Sequence, residues 1–263
     1  MATAGTRLVT RGIVLRETIT KETDKILTVL SEDYGKISVI AKGARRRNSK
    51  YAACAQILAW SEWTLSKART GEWYYVHEGN TIMLFPELRE NLTAFALGCY
   101  FAELTEAVAL EENPSGPLLR HLLNGLYALG PLRKPESLVK PAFECKLLSL
   151  AGYEPLVDAC AYCGRTDPVN PVLETVQGMI RCQTCGGNDN HYNNIMPLCG
   201  DSLAALRHMI YGDAKRLYAY KLESRALARL YQAVERFLYV QLDRKFRTLD
   251  FYKSLLPGRK DET

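Results

Sequence analysis

The sequence predicts an α+β chain in which short strands come first, helices follow, and a four-cysteine metal knot is set among the helices. Three observations carry this. Residues 6–77 break into five runs where β-branched and aromatic residues alternate with polar ones. Beyond residue 80 the apolar residues recur at helical spacing. Two CxxC pairs, Cys160 with Cys163 and Cys182 with Cys185, stand eighteen residues apart. The expected organisation is a strand domain over residues 1–80 and a helical domain over 81–263, with the cysteine insertion at 158–188.

The strand runs are RLVTRGIVLRET, KILTVLSE, GKISVIAK, AQILAWSEWTLSK and EWYYVHE. Tight spacing between the first three favours an antiparallel meander. A five-stranded, partly open Greek-key barrel of the oligonucleotide-binding (OB) type fits the count and the length. An SH3-like barrel fits the strand count as well. Trp60 and Trp63 lie an odd number of residues apart on one strand, so at most one of them suits the interior.

The run Lys42–Lys50, KGARRRNSK, is the most charged loop, and no acid occurs between Tyr34 and Ser61. Nothing nearby in sequence therefore neutralises Lys36, Lys42, Arg45, Arg46, Arg47 or Lys50. Guanidinium forks match phosphate oxygens, and cations in such numbers supply sequence-independent affinity for nucleic acid. A solvated surface loop is the plainer reading of the same run. Charge distribution favours the first reading. Residues 1–80 carry thirteen Lys or Arg against eight Asp or Glu, and the rest of the chain carries twenty-one of each, so the whole net charge of +5 sits in the first part.

Helices are expected over Leu88–Leu110, with Leu92, Phe95, Leu97, Tyr100, Leu104 and Val108 as its apolar positions, then over LLRHLLNGLYALG, then from Glu136 to Leu150 with Cys145 and Leu148 buried. After the cysteines come a helix at 202–211 capped by Asp201 and a long helix from Glu223 to Phe246. The latter sets Arg225, Arg229, Arg236 and Arg244 opposite its apolar face. Residues 257–263 read as a frayed end.

Two CxxC turns can aim four thiolates at one ion, and Gly164 and Gly186 let the backbone fold back after each turn. Four thiolates make a closed site, so the expectation is one structural Zn2+ ion held by Cys160, Cys163, Cys182 and Cys185. His191 and Cys199 lie close enough to replace a ligand, but read more simply as a surface histidine and a small buried hydrophobe. Disulfides fit poorly, because the other cysteines are scattered and no apolar leader precedes them. A reducing, cytoplasmic setting is expected, with no membrane span. The HxE and Pro-Cys elements of a nucleobase deaminase are absent, as is the GxxxxGK[ST] element of an ATP-driven loader. No triad or paired carboxylates can be argued from spacing, so a non-enzyme is expected.

The stretch GIVLRETITKETDKILTVLSEDYGKISVIAKGARR resembles the opening of the bacterial RecO family of recombination and repair mediators. An acidic pair, Glu22 and Asp24, precedes the second strand, and a Lys-Gly-x-Arg loop, Lys42 to Arg45, follows the third. EPLVDACAYCG from Glu154 is similar to the family's approach to its cysteine knot, and FYKSL to its closing helix. The resemblance implies an OB barrel plus a helical domain, without catalysis. It implies binding of single- and double-stranded DNA, annealing of complementary strands, and, with RecR, help for RecA in displacing single-strand DNA-binding protein, whose acidic tail docks on the helical part. It also implies Lys42, Arg45 and Arg46 as phosphate contacts. Two other classes fit the residues: an RNA- or ribosome-binding module, and a protein-interaction scaffold with a merely solvated loop.

Overall fold

The computed structural model describes residues 7–69, 71–186 and 194–256. His191 and the expected frayed end at 257–263 lie outside the described residues. In chain order the elements are β1 (Arg7–Thr20), β2 (Asp24–Ser31), β3 (Gly35–Ala41), β4 (Trp60–Lys67), β5 (Trp73–Met83), α1 (Pro86–Arg89), α2 (Leu92–Val108), α3 (Gly116–Leu129) and α4 (Glu136–Leu150). Then come β6 (Pro171–Glu174), β7 (Met179–Cys182), β8 (Ile195–Pro197), α5 (Gly200–Tyr211), a 3-10 turn (Ala214–Arg216), α6 (Ser224–Leu242) and α7 (Arg247–Ser254).

The first five strands form a closed barrel in the order β1-β2-β3-β5-β4, with β1 antiparallel to both β2 and β4 and β3 parallel to β5. This is the Greek-key arrangement of the OB type, here fully closed. Alternation dictates the interior: Ile37 and Val39 of β3, Trp63 and Leu65 of β4, and Tyr74 and Val76 of β5 all point into one core. Trp63 is fully buried and donates its indole N–H to the Gly12 carbonyl at 3.1 Å, while Trp60 is only half-buried, as the parity of the two positions requires. β1 breaks register between Val14 and Arg16, a bulge that bends one long strand across two partners.

The fourth run starts later than its composition suggests. Residues 51–59 are a chain of turns, and their buried members Tyr51, Cys54, Ala55, Leu58 and Ala59 follow no period of two. Tyr51, Cys54 and Ala55 join the barrel core, and the Tyr51 hydroxyl donates to the Val76 and His77 carbonyls at 3.1 Å. The segment is a plug.

By compactness the chain divides into one unit of Met1–Leu132 with Phe246–Thr263 and a second of Arg133–Lys245. The barrel strands end at Met83, near the expected boundary at 80, but α1, α2, α3 and α7 belong to the barrel's unit. The segment between α2 and α3 lies against the β2–β3 turn, where the Lys36 amide donates to the Leu110 carbonyl at 3.1 Å. Gly35 has φ +64, and a Cβ there would stand 2.2 Å from the Asn113 carbonyl oxygen, so only glycine fits. α7 returns to α2, where Glu103 accepts the Thr248 amide at 3.0 Å and Phe246 meets Tyr100 edge-on.

Three helix expectations need correction. The single helix from Leu88 is broken at Glu90–Asn91, because the Asn91 side chain caps the Thr93 and Ala94 amides and starts a new helix; Leu92 is turned outward and is 60% exposed. The residue preceding α5 is Cys199, and Asp201 lies in its first turn instead of at the cap. The long last helix stops at Leu242, where Asp243 takes a left-handed conformation with φ 44, and α7 is a separate helix. Arginines expected on its solvated face are engaged as well: Arg229 donates to the Leu198 carbonyl at 3.2 Å and Arg236 to the Asn194 side chain at 2.9 Å.

In the second unit a buried ionic cluster joins α4 to α6. Lys140 of α4 is fully buried, its ammonium 2.8 Å from Glu144, 2.7 Å from Glu235 of α6 and 4.1 Å from the centre of the Tyr231 ring. Burial works against the charged lysine, but the two carboxylates outweigh it and raise the pKa above its ordinary value. Lys140→Ala leaves two carboxylates converging without a cation. We expect it to cost about 3–5 kcal/mol, read as a lowered denaturant midpoint.

Candidate nucleic-acid interface and metal centre

All five cations expected at the interface, Lys42, Arg45, Arg46, Arg47 and Lys50, lie on one exposed loop directly after β3. Successive turns build it, with the Arg46 amide donating to the Gly43 carbonyl and the Ser49 amide to the Arg46 carbonyl. The β1–β2 turn anchors it. A carboxylate oxygen of Asp24 accepts the Gly43 amide at 2.7 Å, the Thr23 carbonyl accepts the Arg45 amide at 2.9 Å, and the Glu22 carbonyl accepts the Arg45 guanidinium at 2.9 Å. Asp24, the first residue of β2, thus has a local role for its carboxylate that spacing alone does not reveal, whereas Glu22 contributes only its main-chain carbonyl.

The Gly43 amide holds the Asp24 carboxyl below its ordinary pKa of 3.8, with help from Thr23 and from Lys21 and Lys42 nearby. Among the described residues no ion pair neutralises any of the five loop cations. Lys42 rests 5.0 Å from the centre of the Tyr75 ring, and Lys50 donates to the His77 carbonyl at 2.9 Å. Lys36 is different from what its sequence neighbourhood suggests. It lies 3.8 Å from Glu111, a residue remote in sequence, and is no part of this cationic surface.

The second cluster is built by two knuckles. Gly164 (φ +71) and Gly186 (φ +120) reverse the chain after each. The Cys160, Cys163, Cys182 and Cys185 sulfurs all lie within 4.8 Å of one another, and none is disulfide-bonded. Cys163 and Cys182 are 3.8 Å apart, close to the roughly 3.8 Å edge of a tetrahedron with metal–sulfur bonds of about 2.3 Å. The donor set therefore fits a thiophilic ion in a closed, four-coordinate site. Burial opposes the Cys160 thiolate, but the backbone amides of Cys163, Cys182 and Tyr162 prevail and bring its pKa down to about 6. Cys199 stands apart from the cluster, half-exposed, with its sulfur 3.1 Å from the Ser202 hydroxyl.

Two arginines hold the knuckle backbones, and the sequence singles out neither. Arg207 of α5 donates to the Val157, Asp158 and Thr166 carbonyls around the first knuckle. Arg181, almost fully buried and ion-paired with Glu174, donates to the Cys182, Gln183 and Cys185 carbonyls of the second. The only cue in the sequence was an arginine beside Cys182.

Fold and sites define a class: an OB-type barrel bearing an unneutralised cationic loop, followed by helices that carry a four-sulfur cluster able to hold a metal. Comparison with known proteins narrows it. Residues 6–85 match the model of Recombination protein O N terminal, and residues 89–250 that of Recombination protein O C terminal. The chain is 32% identical to the DNA repair protein RecO of Acetivibrio thermocellus, over 94% of this chain and 97% of that one. It is 28% identical to that of Symbiobacterium thermophilum over 94% and 97%, and 26% identical to that of a Thermoanaerobacter species over 94% and 98%. The chain belongs to the RecO family of DNA repair proteins.

Because the folded Asp24 pKa lies below 3.8, its bond to Gly43 is present above that value and is lost as pH falls through the depressed one. The Gly43 amide resonance should shift with a midpoint below 3.8, and Asp24→Ala should abolish that titration.

Proposed function

We propose that this chain is a non-catalytic recombination mediator that binds single- and double-stranded DNA through the Lys42–Lys50 loop and anneals complementary strands. With RecR it would help RecA load onto DNA coated by single-strand DNA-binding protein, whose acidic tail would dock on the helical part, in the bacterial cytoplasm. The observation that carries the reading is the exposed loop, whose backbone is anchored at Gly43 and Arg45 and whose five cations make no ion pair with a carboxylate among the described residues. Annealing requires two polyanions to approach, and cations that neutralise phosphates without touching base edges lower their repulsion while leaving pairing free. Family membership and the absence, among the described residues, of any helix long and apolar enough to cross a membrane accord with it.

Cys160, Cys163, Cys182 and Cys185 would hold one structural zinc ion, which when bound locks the two knuckles together and supplies no open position for chemistry. Arg181 and Arg207 orient the knuckle backbones around it.

The DNA reading is tested by single-strand affinity across a salt series for the native chain and for Arg45, Arg46 and Arg47 all changed to Ala. We expect binding that weakens with salt, and a log–log slope shallower in the triple variant by up to about 2, since each phosphate contact contributes roughly 0.7. Superimposable curves would place DNA elsewhere, no binding at all would favour a scaffold, and preference for RNA of equal length would favour an RNA module. For the metal, elemental analysis should find one zinc per chain, lost in Cys160→Ser and Cys182→Ser and weakened in Arg181→Ala. Full retention in both cysteine variants would overturn the assignment.

A further inference from the structure

On β5 the side chains alternate, with Tyr74 and Val76 buried in the barrel and Trp73, Tyr75 and His77 facing outward. Trp73 is 40% exposed. Outward neighbours on one strand lie about 7 Å apart, so Trp73 and Tyr75 form a short row, while the His77 ring nitrogen lies 2.9 Å from the Ser66 hydroxyl of β4. Register sets Ile40 of β3 beside Tyr75 and Ile26 of β2 beside Ile40, and neither isoleucine is fully buried. The β4–β5 pairing slips between Thr64↔Glu78 and Leu65↔Val76, which makes His77 a bulge residue. Its carbonyl accepts from Lys50 and from the Tyr51 hydroxyl. Bulges of this kind re-aim side chains beside functional surfaces. Lys42 stands over Tyr75, so the basic loop runs alongside the row. Core packing does not account for the outward Trp73 and Tyr75 rings, because the interior of the barrel is filled from the opposite face of the same strand by Tyr74 and Val76.

We infer that the outer face of β5 is a stacking platform for the unpaired bases of a single strand, with Trp73 and Tyr75 carrying bases and Lys42 and Lys50 as the adjoining phosphate contacts. This rests on the DNA-binding reading above and specifies which form of DNA this face takes. Every base has a π face, so stacking on aromatic rings is indifferent to sequence. In a duplex those faces are already stacked on their neighbours, so the platform is closed to it, whereas phosphates are offered by both forms. Lys42 now occupies the Tyr75 ring face; a phosphate draws the ammonium aside and a base takes its place. A strand held by its base faces keeps its pairing edges free, which is the state annealing needs.

The test is anisotropy titration of oligo-dT and of a duplex of equal length, at one salt concentration. The proteins are the full native chain, Trp73→Ala, Tyr75→Ala, Tyr75→Phe and the triple arginine variant, with thermal melts confirming that each is folded. We expect each alanine to lower oligo-dT affinity about tenfold and to leave duplex affinity unchanged, and Tyr75→Phe to match the native chain. Oligo-dT, but not duplex, should quench a tryptophan fluorescence that is missing in Trp73→Ala. No loss, or equal loss for strand and duplex, overturns the platform. The two readings fail differently. A native chain that binds neither DNA sinks both, whereas an unaffected triple arginine variant beside strand-selective aromatic variants sinks the loop and leaves the platform standing.

Discussion

Barrel closure through β1 is the constraint from which the rest of the first unit follows. β1 pairs with β4 along its first half and with β2 along its second, and the bulge between Val14 and Arg16 lets one strand serve both. Once the sheet is closed it has an inside and an outside, and every residue on β3, β4 and β5 is assigned to one of them by parity. Trp63 must then enter the core, and Trp73, Tyr75 and His77 must leave it. A slip of one residue would exchange the sets, putting the tyrosine and valine of β5 into water and its outward rings into the core.

The two clusters use arginine in opposite ways. Around Gly43 the loop is tied down mainly by peptide groups, so Arg45 is positioned by the Glu22 carbonyl without its charge being cancelled, and Arg46 and Arg47 are exposed with no ion pair among the described residues. Arg181 is the reverse case. Its charge is matched by Glu174 through Nε, and its Nη1 group is shared among three carbonyls of the second knuckle. Counting cations along the chain cannot separate these roles, because the difference lies in whether a carboxylate or a carbonyl is the partner.

Much of this is legible in the sequence. Period-two runs located the strands, the odd separation of Trp60 and Trp63 sent only one of them inward, and the CxxC spacing marked the four sulfurs that come together. The failures have local causes. Residues 55–59 read as strand because they are apolar, but they are buried as a plug, where side chains need no alternation. Helix breaks at Asn91 and Asp243 were hidden because apolar periodicity resumes on the far side of each, and a single capping or left-handed residue is a weak signal inside a strong pattern. Trp73 and Tyr75 could not be told from core residues until the register was known. Asp24 stands out only as an acidic residue at the start of β2; its hold on Gly43 depends on two turns meeting at one end of the barrel.

The return of α7 to α2 makes the first unit discontinuous in sequence: it needs residues up to 132 and again from 246. Synthesis is vectorial, so the segment 133–245 emerges whole and can fold while the barrel's unit still waits for Phe246 to reach Tyr100 and for Thr248 to reach Glu103. A fragment clipped after Leu132 would be an unfinished body with one flank of α2 bare, and any dissection of this chain into parts has to carry its last helix along with its first strands.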